Sequence, residues 1–203
     1  LWTQLEYAVA MNPTLALVQL GYYDAIDAAI AADPARLHDA VAFRSNYDRI
    51  VGQLRANFAE VIVATIPDPT GTAYFSPVAA AAAVLRQPAS LLQETWGIGP
   101  DDLLSQPAVR DMSFQLLSGS FEPLAAARVL RAGDAARIRE RVRAWNTEIA
   151  GVARERGAVV FDLAALFSRL RSGGLPAAGR TLSADAFGGF FSLDGLHPGA
   201  TGH

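Results

Sequence analysis

Residues Thr14 to Asp24, TLALVQLGYYD, change their pattern at a single residue. Thr14 to Leu20 is a short apolar run bounded by Pro13 and Gly21, the length and composition of a strand buried on both faces of a parallel sheet. Gly21 then permits a sharp turn, and from Asp24 the segment AIDAAIAAD takes up a helical spacing that Asp33-Pro34 brings to an end. A strand feeding a helix through a glycine is half of a β-α-β crossover. Whether the pattern repeats along the chain therefore decides the fold.

It does repeat. Upstream, Trp2 to Met11 places Trp2, Leu5 and Val9 at helical spacing and stops at Asn12-Pro13. Downstream, Leu37 to Phe58 is a long amphipathic helix with Val41, Tyr47, Ile50, Val51, Leu54 and Phe58 near one side. Glu60 to Ile66, EVIVATI, is a β-branched run cut off by Pro67-Asp68-Pro69-Thr70-Gly71, which makes it a second central strand. Asp134 to Arg156 is a charged helix with a core stripe of Ile138, Val142, Trp145, Ile149 and Val152, closed by Gly157. Ala158 to Asp162 is a third strand and Leu163 to Leu170 the helix after it. Alternating strands and helices imply right-handed parallel crossovers, hence an α/β fold, a three-layer α/β/α sandwich around a mostly parallel sheet.

The segment from Tyr74 to Gly133 breaks the rhythm. Its alanine-rich helical pieces are interrupted at Gln87-Pro88, Gly97 to Pro100, Gln106-Pro107 and Gly119. It is too long for one crossover, so residues 74–133 are expected to form a helical insertion or lid within a single domain spanning 1–203.

With 203 residues and 51% hydrophobic content, the chain can bury one real core. Its 17 basic and 20 acidic residues are interspersed, giving a net charge of −3 and neither a nucleic-acid stripe nor a basic membrane patch. The absence of cysteine removes disulfides, thiolate metal sites and a Cys nucleophile. The longest apolar run, Pro77 to Leu85, falls far short of the roughly 18 residues of a membrane span. Leu1 opens inside a helical pattern and His203 stops where another should begin, so we expect further residues at both ends.

Ligands in open α/β sheets bind outside the carboxyl ends of the strands. Gly21 to Asp24, Pro67 to Thr70 and the stretch Phe190 to His203, FFSLDGLHPGATGH, fall there or nearby. Asp194 and His197 are three residues apart across Gly195, a spacing that lets a carboxylate reach an imidazole in a tight loop, fix its tautomer and stabilise the imidazolium. Pro198 suits the first turn of a helix and would set the imidazole just outside a helix start. The plainer alternative is that Asp194 caps that helix and His197 is an ordinary surface residue.

The longer run SLDGLHPGATGH resembles the last signature block of the SGNH (GDSL-type) hydrolases, a family of esterases, lipases and related acyl hydrolases. There the Asp and His of D-x-x-H-P belong to a Ser-His-Asp triad. The resemblance implies catalytic roles for His197 and Asp194, no cofactor, a small-molecule or lipid ester as substrate and a secreted or periplasmic setting. LVQLGYYD, Leu17 to Asp24, resembles the family's G-x-N-D block: Gly21 and Asp24 match, and Tyr23 stands where the family has the Asn that donates to the oxyanion. A phenol hydroxyl lies several ångströms farther from the backbone than an amide and cannot occupy the same point. On the bare residues, Gly21 is a turn residue and Asp24 an N-cap.

The family's G-D-S block is not in this sequence, nor is a G-x-S-x-G elbow. Ser118 and Ser120 flank Gly119 in the irregular middle with no strand before them. The resemblance thus places the nucleophilic Ser upstream of Leu1. A catalytically impaired binding module, with Tyr22 and Tyr23 as an aromatic contact surface, is the alternative from another class.

Three histidines without a carboxylate cluster give no metal motif. His38 reads as a surface residue and His203 has no acid nearby in sequence. Asp68 forms an Asx turn or lines the pocket, and Asp162 caps a helix. Tyr22, Tyr23, Tyr74, Phe75, Phe190 and Phe191 form either an aromatic wall or core.

Overall fold

The computed structural model describes residues 2–177 and 179–202, so Leu1 and His203 lie outside the described residues. In chain order its elements are α1 (Gln4–Ala10), β1 (Leu15–Val18), α2 (Tyr22–Ile30), α3 (Ala40–Ala56), β2 (Glu60–Ala64), β3 (Phe75–Pro77), α4 (Val78–Leu85), α5 (Ala89–Trp96), β4 (Leu103–Ser105), α6 (Gln106–Ser118), β5 (Val129–Leu130), α7 (Ala132–Arg156), β6 (Val159–Phe161), α8 (Leu163–Ser172), β7 (Leu175–Ala177) and β8 (Arg180–Leu182). The protein is α/β. Its three strands β1, β2 and β6 form a parallel sheet with β2 in the centre, as the β-branched EVIVA run requires.

The register puts Val18 opposite Val63 and Val63 opposite Val160 on one face of that sheet. There Val18, Val61 and Val63 are buried in one core with Tyr47, Val51 and Leu54 of α3 and with Ile138, Val142, Trp145, Ile149 and Val152 of α7. The stripe expected for α7 is therefore its buried face. Phe43 ties the two helices together, stacking on Trp145 at 4.5 Å between ring centroids. Outside the core, Arg44 pairs with Glu148 and Glu155, and Arg156 with Asp48. Asn146 of α7 accepts from the Ile66 amide at 2.7 Å and donates to its carbonyl at 2.9 Å, satisfying the backbone where β2 has just ended.

The expectation that both sheet faces are buried is corrected. Leu17 is 68% and Val159 62% exposed, and Leu15 and Phe161 are exposed with them, so among the described residues that side of the sheet is left largely uncovered. An apolar run shows that both faces of a strand favour burial; it does not supply the element that buries them. Val41 and Phe58 are likewise exposed. Phe58 has φ +62°, so the chain has already turned out of α3, and Val41 sits in the first turn after the Asp39 cap.

The 74–133 segment is not purely helical. It carries an antiparallel sheet in the order β3-β4-β5 beside α4, α5 and α6, with its own core around Leu92, Trp96, Leu104 and Met112. Strands of two or three residues are too short to show a period of two. Buried Asp102 fastens this unit to α7: it accepts from the Gly99 amide, from Arg131 and, at 2.8 Å, from the Ala132 amide that opens α7. Burial pulls its pKa upward most strongly, but these bonds together outweigh it and hold the carboxyl below its ordinary value.

The Tyr47 hydroxyl is buried without a hydrogen-bond partner among the described residues, and burial pushes its pKa up. A buried donor left unpaired costs on the order of 1–3 kcal/mol. Tyr47→Phe keeps the ring stacked on Phe43 and is expected to leave the thermal unfolding midpoint unchanged or raise it by a few degrees. A clear drop would show that the hydroxyl is paired in solution.

Candidate functional site

The site begins with two buried aromatics. Phe190 and Phe191 pack edge-to-face on each other and on Phe167 of α8, within a small core that also holds Ala73, Leu170 and Leu182. They anchor the loop that follows. The Gly199 amide donates back to Phe190 at 2.7 Å and the Ser192 amide to His197 at 2.8 Å, closing residues 192–197 into a tight turn. Pro198 pairs with Phe191 in an isolated bridge, and no helix begins through Gly202. The expected helix start beside His197 is therefore corrected: Pro198 holds the turn shut instead.

Inside the turn, Asp194 Oδ1 accepts from Ser192 Oγ at 2.6 Å, the Leu196 amide at 2.8 Å and the His197 amide at 3.0 Å. Oδ2 is left for the imidazole, 2.7 Å from His197 Nδ1. Burial is the largest single influence on the Asp194 pKa and acts upward. The bonds from Ser192, His197 and the two amides together outweigh it and keep the carboxyl well below the usual carboxylate range. An ionised partner on Nδ1 selects the Nδ1–H tautomer and leaves the lone pair on Nε2. Asp194 and His197, placed together from sequence, are in contact.

Nε2 meets the Tyr23 hydroxyl at 3.2 Å. Tyr23 reaches it because Gly21, at φ +90°, turns the chain from β1 straight into α2. A Cβ at Gly21 would be strained by the positive φ and would come 2.7 Å from Ile66 Cδ1, so the Ile66 side chain would have to shift to admit it. Tyr23 is 74% exposed, and its ring is tilted against the imidazole with 6.2 Å between centroids. With the proton on Nδ1, Nε2 is the acceptor in this pairing and the Tyr23 hydroxyl the donor.

Asp24 does not cap its helix: Gly21 is the N-cap residue, and Asp24 lies exposed in the first turn, where its charge suits the helix dipole. The Tyr22-Tyr23 surface also fails to form. Tyr22 turns inward against Phe167, its hydroxyl buried without a partner among the described residues and its pKa pushed up by burial, while Tyr23 faces solvent. Phe75, Phe190 and Phe191 are buried as well, so those aromatics are core, and of the six named from sequence Tyr23 is the one that meets the imidazole among the described residues.

Asp68 forms the expected Asx turn, accepting from the Thr70 amide at 2.9 Å, and is also held between Arg139 and Arg171, each at 3.3 Å. Asp162 caps α8 by accepting from the Ala165 amide and fixes Thr65 Oγ1 at 2.9 Å. His38 is exposed, and its carbonyl accepts from Arg141 and Trp145. Ser118 donates to the Gln115 carbonyl at the end of α6.

Three residues were not read from the sequence as parts of this turn: Ser192, Tyr74, which was named only among the aromatics of a wall or core, and Gln106, which was named only as an interruption of the helical pieces. Ser192 steadies Asp194 and stood two positions before it, a Ser-x-Asp pattern that could have been read as a side-chain turn. Tyr74 and Gln106 seat Gly195: the Tyr74 amide donates to the Gly195 carbonyl at 3.0 Å, and Gln106 Nε2 would lie 2.6 Å from a Cβ placed there. Nothing in the sequence around residues 74 and 106 signals that contact, which spans about half the chain.

Tyr23→Phe removes the hydroxyl from Nε2. Since one neutral hydrogen bond contributes about 0.5–1.5 kcal/mol, diethyl pyrocarbonate is expected to modify His197 roughly two- to tenfold faster in the variant, as read on the His197 peptide by mass. An unchanged rate would mean that Tyr23 does not engage Nε2 in solution.

Among the described residues no cluster of three His, Cys, Asp or Glu is arranged to hold a metal ion, and no helix is long and apolar enough to cross a membrane. No protein-family model, curated protein or solved structure matches this chain.

Proposed function

We propose that this chain carries the acid–base half of an SGNH-type serine hydrolase that cleaves carboxylic esters. The observation that carries the reading is the 2.7 Å contact between an ionised, triply anchored Asp194 and Nδ1 of an exposed His197, which leaves Nε2 to the Tyr23 hydroxyl. In the reaction, Nε2 takes the proton of a serine hydroxyl as its oxygen attacks the ester carbonyl. The tetrahedral adduct then collapses, the bond to the alcohol oxygen breaks, and His197 returns the proton to the leaving alcohol. Water repeats the sequence on the acyl-enzyme and releases the acid. Asp194 stays charged throughout and stabilises the imidazolium.

Among the described residues no serine hydroxyl is bonded to His197; the reading assigns the nucleophile to a serine ahead of Leu1 in the encoded protein. To reach Nε2 it has to displace the Tyr23 hydroxyl. Tyr23 then borders the oxyanion position with Gly21 and Asp24 behind it, and backbone amides beside the nucleophile carry most of the charge stabilisation. The same proposal makes the parallel sheet the middle of a three-layer, flavodoxin-like sandwich whose further layer covers Leu15, Leu17, Val159 and Phe161. Their exposure supports it.

One observation favours a second reading, a binding module that keeps the fold without turnover: the position a nucleophile needs is taken by Tyr23. Labelling the protein as its gene encodes it with a fluorophosphonate separates the two. The hydrolase reading expects a modified serine on a mapped peptide, with labelling dependent on His197. Absence of label from folded protein would leave the binding module.

A further inference from the structure

Beside the Asp194–His197 turn runs a groove of about 700 Å³, between α4 and α6 on one side and residues 186–193 on the other. Its volume lies within the about 300–1,000 Å³ typical of small-molecule sites. Val84, Val109, Phe114, Leu117, Phe187 and Leu193 line it. Five of these six are largely exposed, Leu117 at 83%, Phe187 at 92% and Leu193 at 91% among them, so the structure leaves large apolar side chains facing an open trough. A second trough of about 530 Å³ adjoins it, sharing Ala73, Ser76, Val84, Ala186 and Phe187. Single exposed apolar residues need no account, but a contiguous set that lines a concavity marks a binding surface.

The groove starts where the proposed chemistry ends. Leu193 is the neighbour of Asp194, and Gln106 and Ala73, which line the groove, are also the residues against which Gly195 is seated. The polar side chains in it are the minority: Ser76, Ser113, Gln87 and Gln106, with the guanidinium groups of Arg86 and Arg110. A peptide or sugar laid there would leave its own donors and acceptors largely unpaired, whereas a hydrocarbon chain loses nothing by leaving water.

We infer that this groove is the acyl-chain site of the enzyme, so that the substrates are esters of medium or long fatty acids, with the carbonyl held at His197 and the chain running past Leu193 between α4 and α6. The insertion 74–133 thereby supplies substrate selection. This inference rests on the ester-hydrolase reading for the carbonyl end, but the groove itself is tested without it.

The experiment uses the full encoded protein and a Val84→Glu/Leu117→Glu variant, two surface positions whose side chains are 70% and 83% exposed, with circular dichroism checking that the fold is kept. Binding of a dansylated undecanoic acid, followed by fluorescence, is expected to saturate on the parent and to weaken at least tenfold in the variant. In parallel, kcat/KM for p-nitrophenyl esters is expected to rise from acetate to decanoate by roughly fourfold per added methylene while the groove is filling, and the decanoate-to-acetate ratio to fall at least tenfold in the variant. No saturable binding of the fatty acid, or equal binding by parent and variant, overturns the acyl site whatever the esters do. Binding that the variant loses, with no turnover of any ester, keeps the groove and removes the hydrolase reading. Turnover that is indifferent to chain length removes the groove and keeps the hydrolase.

Discussion

On the hydrolase reading proposed above, alanine at position 197 is expected to lower ester turnover about ten-thousand-fold or more in the encoded protein and to abolish fluorophosphonate labelling, because without the imidazole neither the attacking hydroxyl nor the leaving alcohol would have a proton partner. Stability should barely change: the His197 side chain is 55% exposed, and the turn is closed by backbone bonds from Ser192 and Gly199. Asp194→Asn should approach the same loss by another route. The amide keeps the shape but no longer fixes the tautomer by charge, and it cannot accept on both oxygens from the groups now bound to Asp194. Steady-state kinetics on the short-chain ester read both variants. Turnover within a few-fold of the parent in His197→Ala would sink the assignment.

The pH response of the turn follows from the same contacts. The Asp194 carboxyl is held well below its ordinary range in the folded protein, so the stabilisation it provides is complete above the unfolded carboxylate value. It is lost only as the pH falls through the lower, folded value. The pair is thus held in mildly acidic solution.

The second large effect is expected at Gly195. Its φ of +71° is a conformation that L side chains rarely adopt, and a Cβ there would lie 2.6 Å from the Tyr74 amide nitrogen and 2.8 Å from the Ala73 carbonyl carbon. Both are backbone atoms of the chain entering β3, so neither can swing aside. Gly195→Ala must lift the turn from its seat and break the 3.0 Å bond from Tyr74. A displacement near 1 Å at a catalytic group costs on the order of a hundredfold in rate, and we expect at least that loss of kcat/KM with a lower unfolding midpoint. Gly97→Ala is the control: φ is +62° but nothing lies within 4 Å of the new Cβ, so a slightly lower midpoint with unchanged turnover isolates the backbone contribution. Full activity in Gly195→Ala would show that the turn does not need its seat.

The comparison of sequence with structure turns on range. The helical stripe of α7, the β-branched run of β2, the Gly157 stop and the Asp194–His197 spacing are local patterns, each written within a few turns or residues, and each was legible. The Asp24 cap, the Pro198 helix start and the Tyr22-Tyr23 surface were misread although they too are local, because more than one conformation satisfies those residues and the packing of Phe167, Ile66 and Phe191 chose between them. The strands of the 74–133 unit were illegible because two or three residues carry no period.

By itself, then, the sequence determined an α/β chain with three central strands and paired an acid with an imidazole across one glycine, since periodicity and close spacing survive in the linear order. Only the tertiary structure decided that the Tyr23 hydroxyl meets Nε2, that Tyr74 and Gln106 seat the turn, that one face of the sheet is left uncovered by the described residues and that an apolar groove ends at Leu193. Those contacts join residues up to 174 positions apart, and their geometry is set by which faces the helices leave free to pack, which no local pattern records.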